Sequence, residues 1–314
     1  MSATVTDHDI ARAVDAAGLT GAQIRPGPAA LASPSYRGLE SHAVFLDPTS
    51  GESRFLKIMH PEMRGFFDRE AAVALAHAAG ESGLAPRVLW SDAETGAILF
   101  EALDQGWRTA MLGDLQRPDF SGAVMRALRE LHALPWLTQR FDPFARLDAL
   151  VARARAANVA LPGDLGWVLA LIQEARPALS DTPLAPCRND GSVSNLMTGP
   201  AGRVALVDFD RAGMNDPMYD IGVLLAEMTD FETDMRAPFL AYHGTWDEAA
   251  FARARLWAVV DDMIHAIQAR LCGQLSVRKH LEWLKYGEWR LMRARLALHH
   301  PQFEEKIRIA AGEP

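Results

Sequence analysis

The hydrophobic pattern changes character about a third of the way along the chain. Near the start, Thr6-Asp7-His8-Asp9 precedes Ile10, Ala13, Val14 and Ala17, an apolar face at helical spacing behind a capping sequence, and Gly18 closes it. A Pro/Gly/Ser/Ala-rich loop follows over Pro26–Ser35. Two short apolar runs, Ala43–Leu46 and Arg54–Met59, are joined by Asp47-Pro48-Thr49-Ser50-Gly51, turn chemistry that predicts a hairpin. Phe66–Ala79 predicts a helix ending near Gly80. Arg87–Ser91 and Ala97–Glu101 predict two further strands around the turn Asp92–Gly96.

Beyond Gly106 the period lengthens to that of a helix. Phe120–Ala133 carries Val124, Leu128 and Leu131 on one face, Ala145–Ala157 and Leu165–Ala175 follow, and the chain from Tyr219 to about His300 reads as helix. Short strands around residues 187–207 interrupt this. No internal repeat or sustained heptad occurs. The pattern predicts an α+β protein with a small antiparallel sheet unit over 1–103 and a mostly helical unit over 104–314.

Composition narrows the function. At 314 residues the chain has ample core to be stable alone, and 49% hydrophobic with 23% charged residues is ordinary for a globular protein. A net charge of -8 leaves no basic surplus for nucleic acid. The first twenty residues lack the basic start and apolar core of a secretory signal, no run is long enough to span a bilayer, and Cys187 and Cys272 form no disulfide or metal-ligand pattern. A cytoplasmic protein with a small-molecule partner is expected, and oligomeric state is not encoded in any of these features. The adjacent His299-His300 read as solvated.

Phosphoryl transfer requires a cation on the nucleotide phosphates, a group that fixes it, metal ligands, and a group that orients the attacking hydroxyl. Lys57 in the second strand and Glu70 in the next helix suit the first two roles. In "CRNDGSVSNLM", residues 187–197, Asp190 and Asn195 share one short loop. There the acid can take a proton from a hydroxyl and the amide oxygen can take a magnesium position. Asp208 closes the apolar run Val204–Val207 and can supply the carboxylate that joins metal to phosphate. A solvated polar loop is the alternative reading of the same residues.

The run "RNDGSVSNLM…VALVDFDRAGMNDPMYDIGVLLAE" resembles the family of choline/ethanolamine kinases and aminoglycoside phosphotransferases, whose pattern is His-x-Asp-x-x-x-x-Asn, Ile-Asp-Phe/Trp-Glu and Pro-x-Tyr-Asp-Leu. "ALRELHALP", residues 127–135, resembles that family's helix before the catalytic loop. The resemblance spans roughly residues 36–295. It implies a protein-kinase-like two-lobed fold, with ATP and Mg2+. It implies Asp190 as base, Asn195 and Asp208 on metal, and Lys57 paired with Glu70. It also implies Ser41 and Glu101 at the nucleotide, and Asp220 bracing the catalytic loop. Three departures stand out: Arg188 replaces a histidine that packs beneath the loop, Gly191 replaces a leucine and loosens the loop, and Tyr36–His42 over the phosphates has one glycine.

For the acceptor, Trp257 and Asp261 are i, i+4, while Glu282, Tyr286 and Trp289 fall at i, i+4, i+7. Tryptophans on a long helical lobe read first as core; the functional reading, with Asp262, Trp283 and Glu288, is an acidic aromatic pocket for a cationic amino alcohol. "YGEWRLMRARLAL" resembles a C-terminal segment of bacterial choline kinases, which points to choline or a relative. An aminoglycoside or sugar fits the same loop. A catalytically silent kinase-like module is the rival from another class. Asp208-Phe209-Asp210 also superficially resembles the acid pair of haloacid-dehalogenase-type phosphatases, but Ala212 stands where that chemistry has Thr or Val.

Overall fold

The computed structural model describes residues 4–32, 36–103 and 105–313. The last three residues of the expected Pro26–Ser35 loop, and residue 104 at the expected boundary, lie outside the described residues. Helix α1 (Asp7–Ala16) begins with the capping box read from the sequence: the Thr6 hydroxyl accepts from Asp9 N, and the Asp9 carboxylate accepts from Thr6 N at 2.9 Å. Its apolar face of Ile10, Ala13 and Val14 packs on one side of a five-stranded antiparallel sheet.

That sheet holds β1 (Gln23–Pro26), β2 (Ser41–Asp47), β3 (Arg54–Met59), β4 (Val88–Asp92) and β5 (Ala97–Glu101), in the order β1-β2-β3-β5-β4. The exposed, polar β1 carries no alternation and was not expected. Between β3 and β4, Pro61–Phe66 forms a 3-10 turn, and Asp68 then caps α2 (Arg69–Glu81) by accepting from Ala71 N at 2.9 Å. The helix therefore starts three residues later than the apolar pattern suggests, because a proline and a cap intervene. Lys57 lies on the central strand β3, opposite Ala43 of β2 and Ile98 of β5.

The second part is helical. It opens with β6 (Arg108–Thr109), α3 (Leu112–Leu115), α4 (Pro118–Leu131), α5 (Pro143–Ala156) and α6 (Leu165–Ala175). Four short strands follow: β7 (Ala185–Cys187), β8 (Leu196–Thr198), β9 (Val204–Leu206) and β10 (Gly213–Asn215). β7 pairs with β10, and β8 joins β6 to β9. These small ladders place the turn 188–195 and the turn 207–212 side by side beneath the sheet. Then come α7 (Pro217–Met228), α8 (Glu232–His243), α9 (Glu248–Leu275), α10 (Trp283–Leu298) and α11 (Phe303–Ala310).

The 28-residue α9 is the spine of this part, with α5, α7, α10 and α11 packed around it. At the α7–α9 crossing a Cβ on Gly222 would fall 1.8 Å from the Ala254 carbonyl oxygen, so the backbones meet directly. One continuous core links α2, the inner face of the sheet and the helices. No helix among the described residues is long and apolar enough to cross a membrane.

Candidate active site

The turn after β7 is held from below. Asp220, fully buried in the first turn of α7, accepts from Arg188 N at 2.9 Å and Asn189 N at 2.7 Å, and lies 3.1 Å from His132 Nε2 at the end of α4. Arg188 is buried, and its guanidinium donates to the carbonyls of Asp190 and Asn195, each at 2.8 Å, and of Val207 at 3.0 Å. One side chain thus ties both ends of the 190–195 segment to the end of β9. Arginine fits here because its planar fork serves several acceptors at once. The expectation that Gly191 loosens the loop is corrected: a Cβ there would lie 2.5 Å from the Val223 carbonyl carbon, so glycine lets the loop pack directly on α7.

Asp190 emerges half-buried from this platform. Its Oδ1 accepts from Ser192 N at 2.6 Å and its Oδ2 from Asn195 Nδ2 at 2.8 Å. Binding the amide nitrogen leaves the amide oxygen of Asn195 free for a cation.

In the cleft lined by Asn195, Lys57 Nζ sits between two carboxylates, 2.7 Å from Asp208 Oδ1 and 2.8 Å from Asp210 Oδ1. Asp208 adopts φ 64, a left-handed conformation costly for a non-glycine residue and common at functional sites. Burial alone would lower the lysine's proton affinity, but the two carboxylates raise it, so the cation is firmly protonated. Burial raises Asp208 too, yet Lys57 outweighs it and holds that carboxyl below its ordinary value. Burial and the Asp208 charge push Asp210 up to about 6. Two polar atoms of the cleft wall, Asp210 Oδ2 and the Ser41 hydroxyl, are buried without a hydrogen-bond partner among the described residues.

The expected Lys57–Glu70 pair is not formed. Glu70 is exposed at the start of α2 and accepts from Gln139 Nε2 at 3.0 Å, because the 3-10 turn shifts the helix start outward. Glu101 lines the cleft, but its carboxylate is engaged by Arg87, with Nε at 2.8 Å. The cleft has an apolar end of Ala43, Ile98, Phe100, Leu103 and Met197, and a polar end of Ser41, Lys57, Asn195, Asp208 and Asp210. A base ring suits the first and phosphates the second. Two carboxylates and an amide oxygen are the hard oxygen donors that Mg2+ prefers.

The model of the phosphotransferase enzyme family matches residues 34–257. The chain belongs to that family. Its fold is similar to a choline/ethanolamine kinase family protein from Mesorhizobium loti, at 24% identity over 97% of this chain and 99% of that one, with a TM-score of 0.76. It is similar to choline kinase LicA from Streptococcus pneumoniae at 16% identity, covering 93% and 98%, TM-score 0.75. A GDP complex of aminoglycoside 2'-phosphotransferase-IIIa matches at 14% identity, covering 92% and 98%, TM-score 0.64. No curated protein matches the sequence. The chain is thus a member of a phosphotransferase enzyme family with the two-lobed, kinase-like α+β fold expected from the sequence.

On the acceptor side the expected aromatic cage does not form. Trp257 is buried between Phe144 and Tyr219, with its indole N–H on Asp216 at 3.0 Å. Trp283 is buried with Arg278 near its ring, and Tyr286 is buried against Tyr36 and His265. Only Trp289 is partly open, and the Arg293 guanidinium lies 5.0 Å from its ring. The rings are core because α9 and α10 pack on each other along that face.

Asp261 is likewise internal. It begins a ladder of alternating charges: Asp261 with Arg290, Arg290 with Asp262 at 2.6 Å, Asp262 with Arg293 at 3.3 Å, and Arg293 with Glu227 at 3.5 Å. Burial raises the Asp262 and Glu227 carboxyls, and the arginines oppose it.

The sequence reading named Asp210 only in the phosphatase comparison and gave no role to Glu40, Arg211 or Glu227. Asp210 had a signal, since the Asp-Phe-Asp spacing matches the second acid of the family pattern quoted above. Glu40 is buried, accepts from the Tyr36 hydroxyl and sits 3.8 Å from Arg211. Burial, opposed by Arg211, holds its carboxyl at about 7. No local pattern marks Glu40 as buried beside a charge, because the arginine near it is 171 positions away in sequence.

Proposed function

We propose that this phosphotransferase moves the γ-phosphoryl group of ATP, with Mg2+, to the hydroxyl of a small amino alcohol, choline being the type. The sheet lobe and the helical lobe divide near residues 103–104. The observation that carries the reading is that Asn195, which lines one cleft with Lys57, Asp208 and Asp210, also donates to Asp190, a residue held from below by Arg188.

Asp208, Asp210 and Asn195 would hold Mg2+, which when bound neutralises charge on the phosphate oxygens. Lys57 already stands between the two carboxylates and is placed to transfer its contact to the triphosphate. The Ser41 hydroxyl is a spare donor in the same wall. Asp190 accepts the proton of the attacking hydroxyl at a carboxylate oxygen, while Ser192 N and Asn195 keep that oxygen aimed. Excluding water falls to the buried Tyr36 and Leu39 of the covering loop.

The acceptor reading rests on the charge ladder rather than on a cage. Three carboxylates face two guanidiniums, so the ladder ends with one unmatched acid. That end is Glu227, whose Oε1 lies 3.5 Å from Val193 N of the catalytic loop. An ammonium at Glu227 would bring a nearby hydroxyl to Asp190. The two free, buried cysteines suit the reducing cytoplasm.

The test compares choline with its uncharged isostere 3,3-dimethylbutan-1-ol in an ATP-consumption assay that also holds an aminoglycoside and a sugar. Choline should give the higher kcat/KM, and Glu227→Gln should erase most of the difference. Equal rates for the two alcohols would remove the ammonium from the account, and turnover only with aminoglycoside or sugar would replace it.

A further inference from the structure

The loop that covers nucleotide phosphates in kinases is glycine-rich, which lets backbone N–H groups approach closely. Here Tyr36–Ser41 has one glycine, Gly38, at φ 61. Arg37, Gly38, Glu40 and Ser41 nevertheless line the cleft beside Lys57. Something other than glycine must set the backbone of this loop.

The helical lobe does so. Arg278, in the link between α9 and α10, is 8% exposed. Its Nη2 donates to the Leu39 carbonyl at 2.6 Å and its Nε to Glu62 Oε1 at 2.7 Å. Glu62, from the 3-10 turn after β3, also accepts from the Ser276 hydroxyl at 2.9 Å, and that hydroxyl in turn accepts from Arg278 N at 3.1 Å. Ser194 in the catalytic loop donates to the Tyr36 carbonyl at 2.7 Å. The covering loop is thus tied at two carbonyls to the opposite lobe.

A trans peptide places its C=O and N–H on opposite sides. With the Leu39 carbonyl drawn onto Arg278, the Glu40 N–H points away from Arg278, and Glu40 itself lines the cleft. We propose that Arg278, oriented by Glu62, is a positioning residue for the triphosphate: it fixes the Leu39–Glu40 peptide so that its N–H is presented to phosphate without the glycines that usually allow this. The proposal rests on the nucleotide-cleft reading above, but on neither the acceptor nor the role of Asp190.

The test is calorimetric binding of two probes, adenylyl-imidodiphosphate with Mg2+ and adenosine, to the full chain and to Arg278→Ala, Arg278→Lys and Glu62→Gln. Adenosine lacks phosphates and should bind all four proteins alike. The triphosphate analogue should weaken about tenfold in Arg278→Ala, the fold-change of one lost charge-assisted contact. Arg278→Lys should recover part of this, since one donor can still reach Leu39. Glu62→Gln should weaken the analogue less, about threefold, and it carries the test if the alanine variant does not fold. Unchanged preference for the triphosphate over adenosine in the folded variants would overturn the proposal. Equal loss for both probes would also overturn it, because the arginine would then merely hold the lobes together. A wild-type chain that binds neither probe would instead sink the nucleotide cleft itself.

Discussion

Two clusters of buried charge lie in this molecule, and they differ in what is left unsatisfied. In the cleft, one cation stands between two carboxylates, Asp210 Oδ2 has no hydrogen-bond partner among the described residues, and Asp208 holds a strained backbone. In the ladder between α9 and α10, two guanidiniums hold three carboxylates, and most of it is shut from solvent. The two ladder atoms without a hydrogen-bond partner among the described residues, Asp262 Oδ1 and Arg290 Nε, still lie 2.6 Å apart as an ion pair. A buried charge that is fully paired fixes packing, and one left short of partners is placed for a ligand. The contrast supports the proposal that the chemistry belongs to the cleft. It assigns the helices to support, except at Glu227 where the ladder ends.

The largest effect should come from Asp190. Asp190→Asn keeps an acceptor for Ser192 N but cannot take a proton, so kcat should fall by roughly 10²- to 10⁴-fold while nucleotide binding survives. Steady-state rates beside calorimetry would show the split, and normal turnover would return the 190–195 segment to a polar loop.

Arg188 is the next point of attack. Were it a simple stand-in for a histidine, Arg188→His would preserve function. The three carbonyls it serves argue otherwise, since imidazole cannot reach all of them and buried acceptors would be left bare. A loss of about 3 kcal/mol in denaturant unfolding, with reduced kcat, is expected. A histidine variant as stable as the parent would show that the guanidinium is dispensable.

A pH experiment addresses Glu40, buried between the cleft and Arg211. Its carboxyl is held at about 7 against an ordinary value near 4.5, so the native state keeps a proton that the unfolded chain has lost. The stability it contributes is full below pH 4.5 and is lost as pH rises through 7. Glu40→Gln should therefore flatten the fall in stability across that window, and an unchanged slope would place its source elsewhere. The smallest effect belongs to Trp257. Trp257→Phe removes one buried hydrogen bond to Asp216 and should cost about 1 kcal/mol without changing KM for the acceptor. A selective rise in that KM would restore the ring to the acceptor site.

What could be read in advance follows the range of the interactions. Helix α1, the β2–β3 hairpin and the Asp190–Asn195–Asp208 set depend on caps, turns and short spacings, all local. The partner of Lys57 is not local. Glu70 was expected from the resemblance, but Pro61 and the Asp68 cap push it outward, and Asp208 and Asp210 take the lysine instead. Trp257 and Trp283 could be read as core or as pocket, and they are core for a related reason. Helical spacing says which residues share a face, and only packing says whether that face looks at a neighbour or at a ligand.

The most direct test of the cleft is calorimetric titration of adenylyl-imidodiphosphate into the wild-type chain and Asp208→Asn, with and without Mg2+. The account predicts binding strengthened by Mg2+ in the wild type, and that strengthening lost in Asp208→Asn while adenosine still binds. Wild-type affinity indifferent to Mg2+, or an Asp208→Asn variant with the full Mg2+ effect, would contradict it.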